Sequence, residues 1–409
     1  MLRIPLYALV FASLPAVAQV PSPPATQREP VLKALPIGGD DDPNSRPLAE
    51  TPPVTATPEI PQDVAFAKPR IPAVPVPAVP TAPPATEEVV PNPIDQKPTG
   101  DDAVRLQIFL DDSKFGPGVI DGKPGRFTEL AVKSWNEVNG HPIDGWTAVN
   151  TAARKAVPNP FAMAVVPEAA KEWVDSSLPY KRSLQAKKKR MSYRSYGEFM
   201  SERYHCDVPY LVELNGAAKV NSLKPHDTII VPNVTPFHIE NLTETKFETE
   251  ESLAARHLVV DTKINQVRIF EAAPAALIVA DPENPDAAPA SRGNRGLLAS
   301  FPITPGKPKF IKFGTWELRN MVTLPWWRYD QSLLDTGRRS ENAINIPAGP
   351  NSPVGIIWNG TSRPGIGLHG TSDPETIGRA RSAGCIRLAN WDAIRLPTLV
   401  RPGATVEIR

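Results

Sequence analysis

The sequence predicts a multidomain chain. An all-β, sandwich-like domain over 256–409 follows a small helical domain over 101–157 and a small α+β module over 192–234. Three observations carry this. The chain has 409 residues, too many for one ordinary domain. It has 49 prolines, and 21 of them fall in the 80 residues 21–100, a stretch that cannot be core. After residue 256, short β-branched runs (Leu258–Val260, Ile344–Ile346, Val406–Ile408) stand between glycine and proline turns, whereas the apolar spacing upstream is helical.

Composition narrows the function. Lys and Arg number 45 against 44 Asp and Glu, a net charge of +1, which argues against a nucleic-acid partner. Beyond the first twenty residues there is no run of 18 apolar residues, which excludes a polytopic membrane protein. The only cysteines are Cys206 and Cys385, so a disulfide scaffold and a four-cysteine zinc site are excluded. No metal or cofactor is expected.

Residues 1–18 read as a secretory signal: Arg3 is the positive start, Ile4 to Val17 is nearly all apolar, and Ala16-Val17-Ala18 is a small-residue cleavage site. Cleavage before Gln19 predicts export to the periplasm or cell envelope, with no stable membrane insertion afterwards. An uncleaved anchor helix is the alternative, for which the apolar run is short. Residues 19–100 form a proline-rich linker, as in Ile71-Pro72-Ala73-Val74-Pro75. Polyproline II at roughly 3 Å per residue would let it reach up to about 200 Å. It reads equally as a tether toward something large and fixed or as a passive tail.

In 101–157, Leu106, Ile108, Phe109 and Leu110 begin an apolar helix, Phe115 to Gly122 is a glycine-rich loop, and Ala131, Val132 and Trp135 share the face of a second helix that Thr128 could cap. This order resembles the peptidoglycan-binding-like helical domain, with Trp135-Asn136 where that family usually has Phe-Gln. Residues 158–191 are read as a connector. Its Lys181-Arg182 and Lys187 to Arg190 put six positive charges in ten residues, a patch for an anionic polymer or simply a solvated face. In 192–234, two short helices (Tyr196 to Tyr204 and Val208 to Asn215) precede a turn and the strand Thr228 to Val231. This pattern resembles a LysM glycan-binding module, although the usual first strand is weak and Pro225-His226-Asp227 replaces the common turn. Such modules also serve as spacers.

The chemistry-bearing residues lie near the C-terminus. Leu368-His369-Gly370-Thr371 is followed by Ser382-Ala383-Gly384-Cys385-Ile386-Arg387-Leu388. A cysteine with a histidine 16 positions upstream, on a neighbouring strand, can form a nucleophile and general-base pair for acyl transfer. Gly384 allows close approach of a substrate, and backbone N–H groups at Gly384 and Cys385 could form an oxyanion hole. By themselves, a cysteine and a histidine fit a buried thiol with an unrelated imidazole equally well.

The full pattern, with Asn390 and Asp392 after it, resembles the catalytic domain of L,D-transpeptidases, the YkuD family. Further support comes from Leu258 to Asp261, Val267 to Phe270, Ile303-Thr304-Pro305-Gly306 and Pro347 to Gly355. Ala383 stands where many members carry histidine, and the insertion 281–296 exceeds a simple hairpin turn. The resemblance implies an all-β sandwich-like fold, Cys385 as nucleophile, His369 as base, and the Gly370 carbonyl orienting the ring. Ser382 and Gly384 would shape the nucleophile loop. Arg387 would fix that loop or pair with a substrate carboxylate. Trp326 and Trp327 are expected in the core rather than over the cleft. The implied partner is peptidoglycan, acting as donor stem and acceptor, or as donor with an envelope protein as acceptor. The rivals are an L,D-carboxypeptidase or amidase on the same domain, and a wall-binding protein without catalysis. Cys206 and Cys385 are expected not to be bridged.

Overall fold

The computed structural model describes residues 93–271, 296–307, 310–332, 338–379 and 384–409. The expected signal segment, almost all of the proline-rich linker and the insertion up to residue 295 lie outside the described residues. Among the described residues, no helix is long and apolar enough to cross a membrane.

The first unit holds three helices: α1 (Gly100–Asp112), α2 (Arg126–Asn139) and α3 (Thr147–Ala156). Thr128 does not cap α2. Gly125 occupies that position, and the Thr128 hydroxyl donates to the Pro117 carbonyl from inside the first turn. The glycine-rich loop is pinned by Gln107, whose carbonyl accepts from the backbone of Asp121 (3.1 Å) and Gly122 (2.8 Å).

The segment read as connector contains strand β1 (Phe161–Val165). It pairs antiparallel with β2 (Thr228–Pro232), Phe161 opposite Pro232 and Val165 opposite Thr228. Between them lie helices Tyr196–Arg203, capped by Ser195, and Val208–Asn215, capped by Asp207. A third short helix, Ala217–Ser222, follows. The basic run is partly engaged: Lys188 pairs with Asp175 at 2.8 Å and the Arg190 guanidinium lies over the Trp173 ring.

The C-terminal unit is one curled sheet. Its strands are β3 (Lys246–Phe247), β4 (His257–Asp261), β5 (Gln266–Phe270), β6 (Leu297–Pro302), β7 (Gly314–Thr323), β10 (Ile357–Thr361), β11 (Gly367–His369), β12 (Ile386–Arg387) and β13 (Thr405–Ile408). A separate pair, β8 (Trp327–Tyr329) and β9 (Ile344–Ile346), packs beside it. The order is β12–β11–β10–β7–β13–β4–β5–β6, with β3 also against β7. Strand β7 hands the sheet from one half to the other: Gly314 to Glu317 pair with β13, and Leu318 to Thr323 pair with β10. A register shift at Gly360/Thr361 helps the bend, as bulges do. Both halves close on one core, with Leu258, Val267 and Phe301 meeting Met321, Leu368 and Ile386. The sandwich-like expectation therefore resolves into a single sheet folded over itself.

The units are not beads on a string. One apolar core joins Val104 and Ile108 of α1, Phe199 and Met200 of the α+β unit, and Ile356 and Trp391 of the C-terminal unit. A buried ion cluster lies beside it. Arg395 donates to both oxygens of fully buried Asp111 (3.1 and 2.6 Å), and His205 contacts the same carboxylate at 2.9 Å. The outer edge of the sheet, β6, is covered by the helical unit. The Gly116 N–H donates to the Ser300 carbonyl (2.8 Å), and the Ser300 N–H donates to the Lys114 carbonyl (3.0 Å). Covering the middle of an edge strand in this way blunts it against pairing with another chain.

Candidate active site

Two short parallel strands set the site. Leu368 lies opposite Ile386 and His369 opposite Arg387. Cys385 immediately precedes β12 and His369 ends β11. Period-two alternation across strands spaced about 4.8 Å apart brings Cys385, Arg387 and His369 to one face. The half-buried Cys385 thiol donates to the Gly365 carbonyl at 3.5 Å, in the turn between β10 and β11. The β12 backbone is held from behind, where the Thr304 and Arg387 main chains exchange hydrogen bonds of 2.9 and 3.0 Å.

His369 is buried, and its Nδ1 lies 2.6 Å from the Gly370 carbonyl oxygen. A carbonyl oxygen only accepts, so Nδ1 carries the proton and Nε2 keeps its lone pair. The ring stacks on Trp358, with centroids 5.7 Å apart. Burial pushes His369 down to about 4, opposed by the Gly370 bond and aided by the positive Arg387. Burial also pushes the Cys385 thiol up to about 11, against smaller opposing effects from the Gly367 backbone and Arg387. Both shifts favour the uncharged form, neutral thiol and neutral imidazole, over thiolate and imidazolium.

Gly384 adopts φ +126°, a conformation that suits glycine, immediately before the thiol. Gly306 lies against it so closely that a Cβ at 306 would sit 2.5 Å from the Gly384 Cα. Gly306→Ala is therefore expected to cost about 1–3 kcal/mol of stability, as overpacking does. It should also slow alkylation of Cys385 by displacing its loop. Paired thermal melts and labelling rates check both effects, and an unchanged labelling rate would refute the displacement.

His369, Gly370, Gly384, Cys385 and Arg387 thus gather at one end of the sheet, while Ser382 lies outside the described residues. Among the described residues no carboxylate pairs with the Arg387 side chain, and its buried Nε has no hydrogen-bond partner. Trp326 is not core: it is 40% exposed. Trp327 is half-buried beside Arg182 and packs against Leu178, Met191 and Ile346. Sequence reasoning missed Trp358 behind the imidazole, and Phe310 and Ile366 beside Gly384. Their aromatic and aliphatic types carry no mark distinguishing them from core.

Comparison with known proteins defines the class of this unit. Residues 286–408 match the family model of the L,D-transpeptidase catalytic domain, YkuD. The chain carries a domain of that type at its C-terminal end. Two curated relatives, each named "Putative L,D-transpeptidase YkuD", resemble it. The one from Bacillus licheniformis is 38% identical over 76 residues, 19% of this chain and 46% of the relative. The one from Bacillus subtilis is 43% identical over 65 residues, 16% of this chain and 40% of the relative. The chain thus spans less than half the length of either. Among solved structures, an L,D-transpeptidase from Mycobacterium smegmatis aligns at 14% identity and TM-score 0.27, covering 38% of this chain and 58% of that one.

Proposed function

We propose that the protein is a cysteine-dependent L,D-transpeptidase acting on the tetrapeptide stems of peptidoglycan. The observation that carries the reading is the His369 ring, held by its Nδ1–H on the Gly370 carbonyl so that Nε2 is the basic nitrogen, one strand away from Cys385. A neutral pair fits a general-base mechanism. The Cys385 Sγ attacks the carbonyl carbon of stem residue three as His369 Nε2 takes the thiol proton. The C–N bond to the terminal D-residue breaks, and that amine leaves with the proton from His369. This leaves a thioester on Cys385. The amine of a second stem, or of an envelope protein, attacks the thioester; His369 removes its proton and returns one to sulfur as the new amide forms. Arg387, with no carboxylate partner among the described residues, suits a substrate carboxylate. The all-protein chemistry calls for no metal or cofactor.

The upstream units extend the same proposal. The helical unit resembles a peptidoglycan-binding-like domain and the α+β unit a LysM module, with β1 now available as the first strand of such a module. Both would raise the effective concentration of the catalytic unit at the wall. The signal-like first 18 residues and the substrate together suit an exported, envelope-located enzyme.

The test is to incubate the protein with disaccharide-tetrapeptide muropeptides and read the products by mass spectrometry beside Cys385→Ala. A crosslinked dimer that has lost one D-alanine, absent with Cys385→Ala, is expected. A tripeptide without dimer would instead identify a hydrolase. Unchanged substrate with both proteins would leave the wall-binding reading in its place.

A further inference from the structure

The helix Tyr196–Arg203 of the α+β unit sends a carboxyl group into the interior of the C-terminal unit. Glu202 is 5% exposed, and its side-chain oxygens accept from Asn390 Nδ2 at 3.1 Å each and from the Tyr193 hydroxyl at 2.6 Å. Asn390 is fully buried, and its own oxygen accepts from the Ile356 N–H at 3.3 Å. That oxygen is pressed against the residue that orients the imidazole: a Cβ at Gly370 would lie 2.0 Å from it, and one at Gly355 2.2 Å. The Gly370 carbonyl is the acceptor for His369 Nδ1. The chain of contact thus runs from Glu202 through Asn390 and the Gly370 backbone to the His369 ring.

We infer that Glu202 is a positioning residue for the reaction, supplied by the upstream unit, which fixes the Asn390 amide and through it the Gly370 carbonyl that aims His369 at Cys385. This rests on the Cys385–His369 reading above and deepens it.

Two further observations favour a directed role over accidental burial. An amide can sit in either of two orientations, and the partners beside its nitrogen and its oxygen together select one. Glu202 supplies the two nearer acceptors, at 3.1 Å each, with the Pro350 carbonyl at 3.4 Å, and this leaves the Asn390 oxygen facing Gly370 and Ile356. Secondly, the buried Glu202 side chain takes hydrogen bonds from two neutral donors, Tyr193 and Asn390, and burial raises its pKa to about 8. An apolar side chain in its place would strand the buried Tyr193 hydroxyl and leave the Asn390 amide nitrogen with only the Pro350 carbonyl at 3.4 Å, so the acid is held there by its polar partners.

The experiment uses the full chain and reads the alkylation rate of Cys385 by iodoacetamide, by peptide mass, from pH 5 to pH 9. Cys206 is buried and falls in a separate peptide. Glu202→Met strands two buried donors and is expected to melt below the wild type; in the folded protein it should label Cys385 about tenfold more slowly at pH 7, with a pH profile moved toward that of His369→Ala. Glu202→Gln, which keeps a carbonyl for Asn390, should restore most of the rate. If Glu202→Met does not fold, Glu202→Leu is read in the same way. A folded apolar variant labelled at the wild-type rate and pH profile overturns the inference. If wild-type labelling is itself indifferent to His369→Ala, the nucleophile-and-base reading falls, and this inference with it. If wild-type labelling depends on His369 but not on Glu202, only the positioning role falls.

Discussion

Arg395→Ala is expected to lower global stability by about 3–5 kcal/mol, the usual consequence of stranding one member of a buried ion pair. Asp111 has no solvent access, and burial alone would drive its carboxyl toward the neutral form. Arg395 and His205 outweigh that and hold it well below the usual carboxylate range. Without the guanidinium, the acid must either take a proton or remain charged in the core. Nearby Asp392, whose carboxyl burial raises well above the usual carboxylate range, offers no relief. The three members come from three units: Asp111 from α1, His205 from the α+β unit and Arg395 from the C-terminal unit. His205 also stacks on Trp391 with centroids 5.3 Å apart. The damage should therefore spread to all three units and appear as one shifted urea transition by tryptophan fluorescence. A loss below about 1 kcal/mol, typical of a surface pair, would show that the cluster is solvated in solution. Since Asp111 is depressed in the fold, its contribution is present at neutral pH and is lost as pH falls through its lowered value.

His369→Gln should reduce acyl transfer by about 100- to 10,000-fold, the range general-base groups command. The pH dependence has a definite sign. The His369 value of about 4 lies below its ordinary 6.5, so the basic form persists well into the acid range. Activity should hold from neutrality to about pH 5 and fall by one proton's slope as pH drops through about 4. The thiol is raised to about 11, so alkylation of Cys385 should climb through pH 9 without a plateau between pH 6 and 8. An inflection in that window would reveal a thiolate–imidazolium ion pair and contradict the neutral resting state.

The strands around the site were legible because their signals are local. Val267 to Phe270, Ile344–Ile346 and Val406–Ile408 alternate or are β-branched, and they fall inside β5, β9 and β13. Strand β1 was not legible. Phe161-Ala-Met-Ala-Val165 contains two alanines and a methionine, residues that favour helix, and its partner β2 begins more than sixty residues later. Helix α3 was missed because its buried face rests on little more than Val149 and Ala153. Trp326 was assigned to the core on residue type, yet it is exposed. At the site, the one-letter pattern marks Cys385, His369 and Gly370, since chemistry restricts those residue types. It cannot mark Glu202, whose relation to Asn390 spans 188 positions and exists only once the units have docked.

The covering of β6 by the Lys114–Gly116 turn bears on inheritance. Domains joined only by linkers can be shuffled between genes, each bringing its function intact. Here a recombination that removed the helical unit would uncover the edge strand β6 and leave the Ser300 N–H and carbonyl unmet, an invitation to the same strand of another molecule. The three units are separable on paper, but they should pass between genomes as a single cassette.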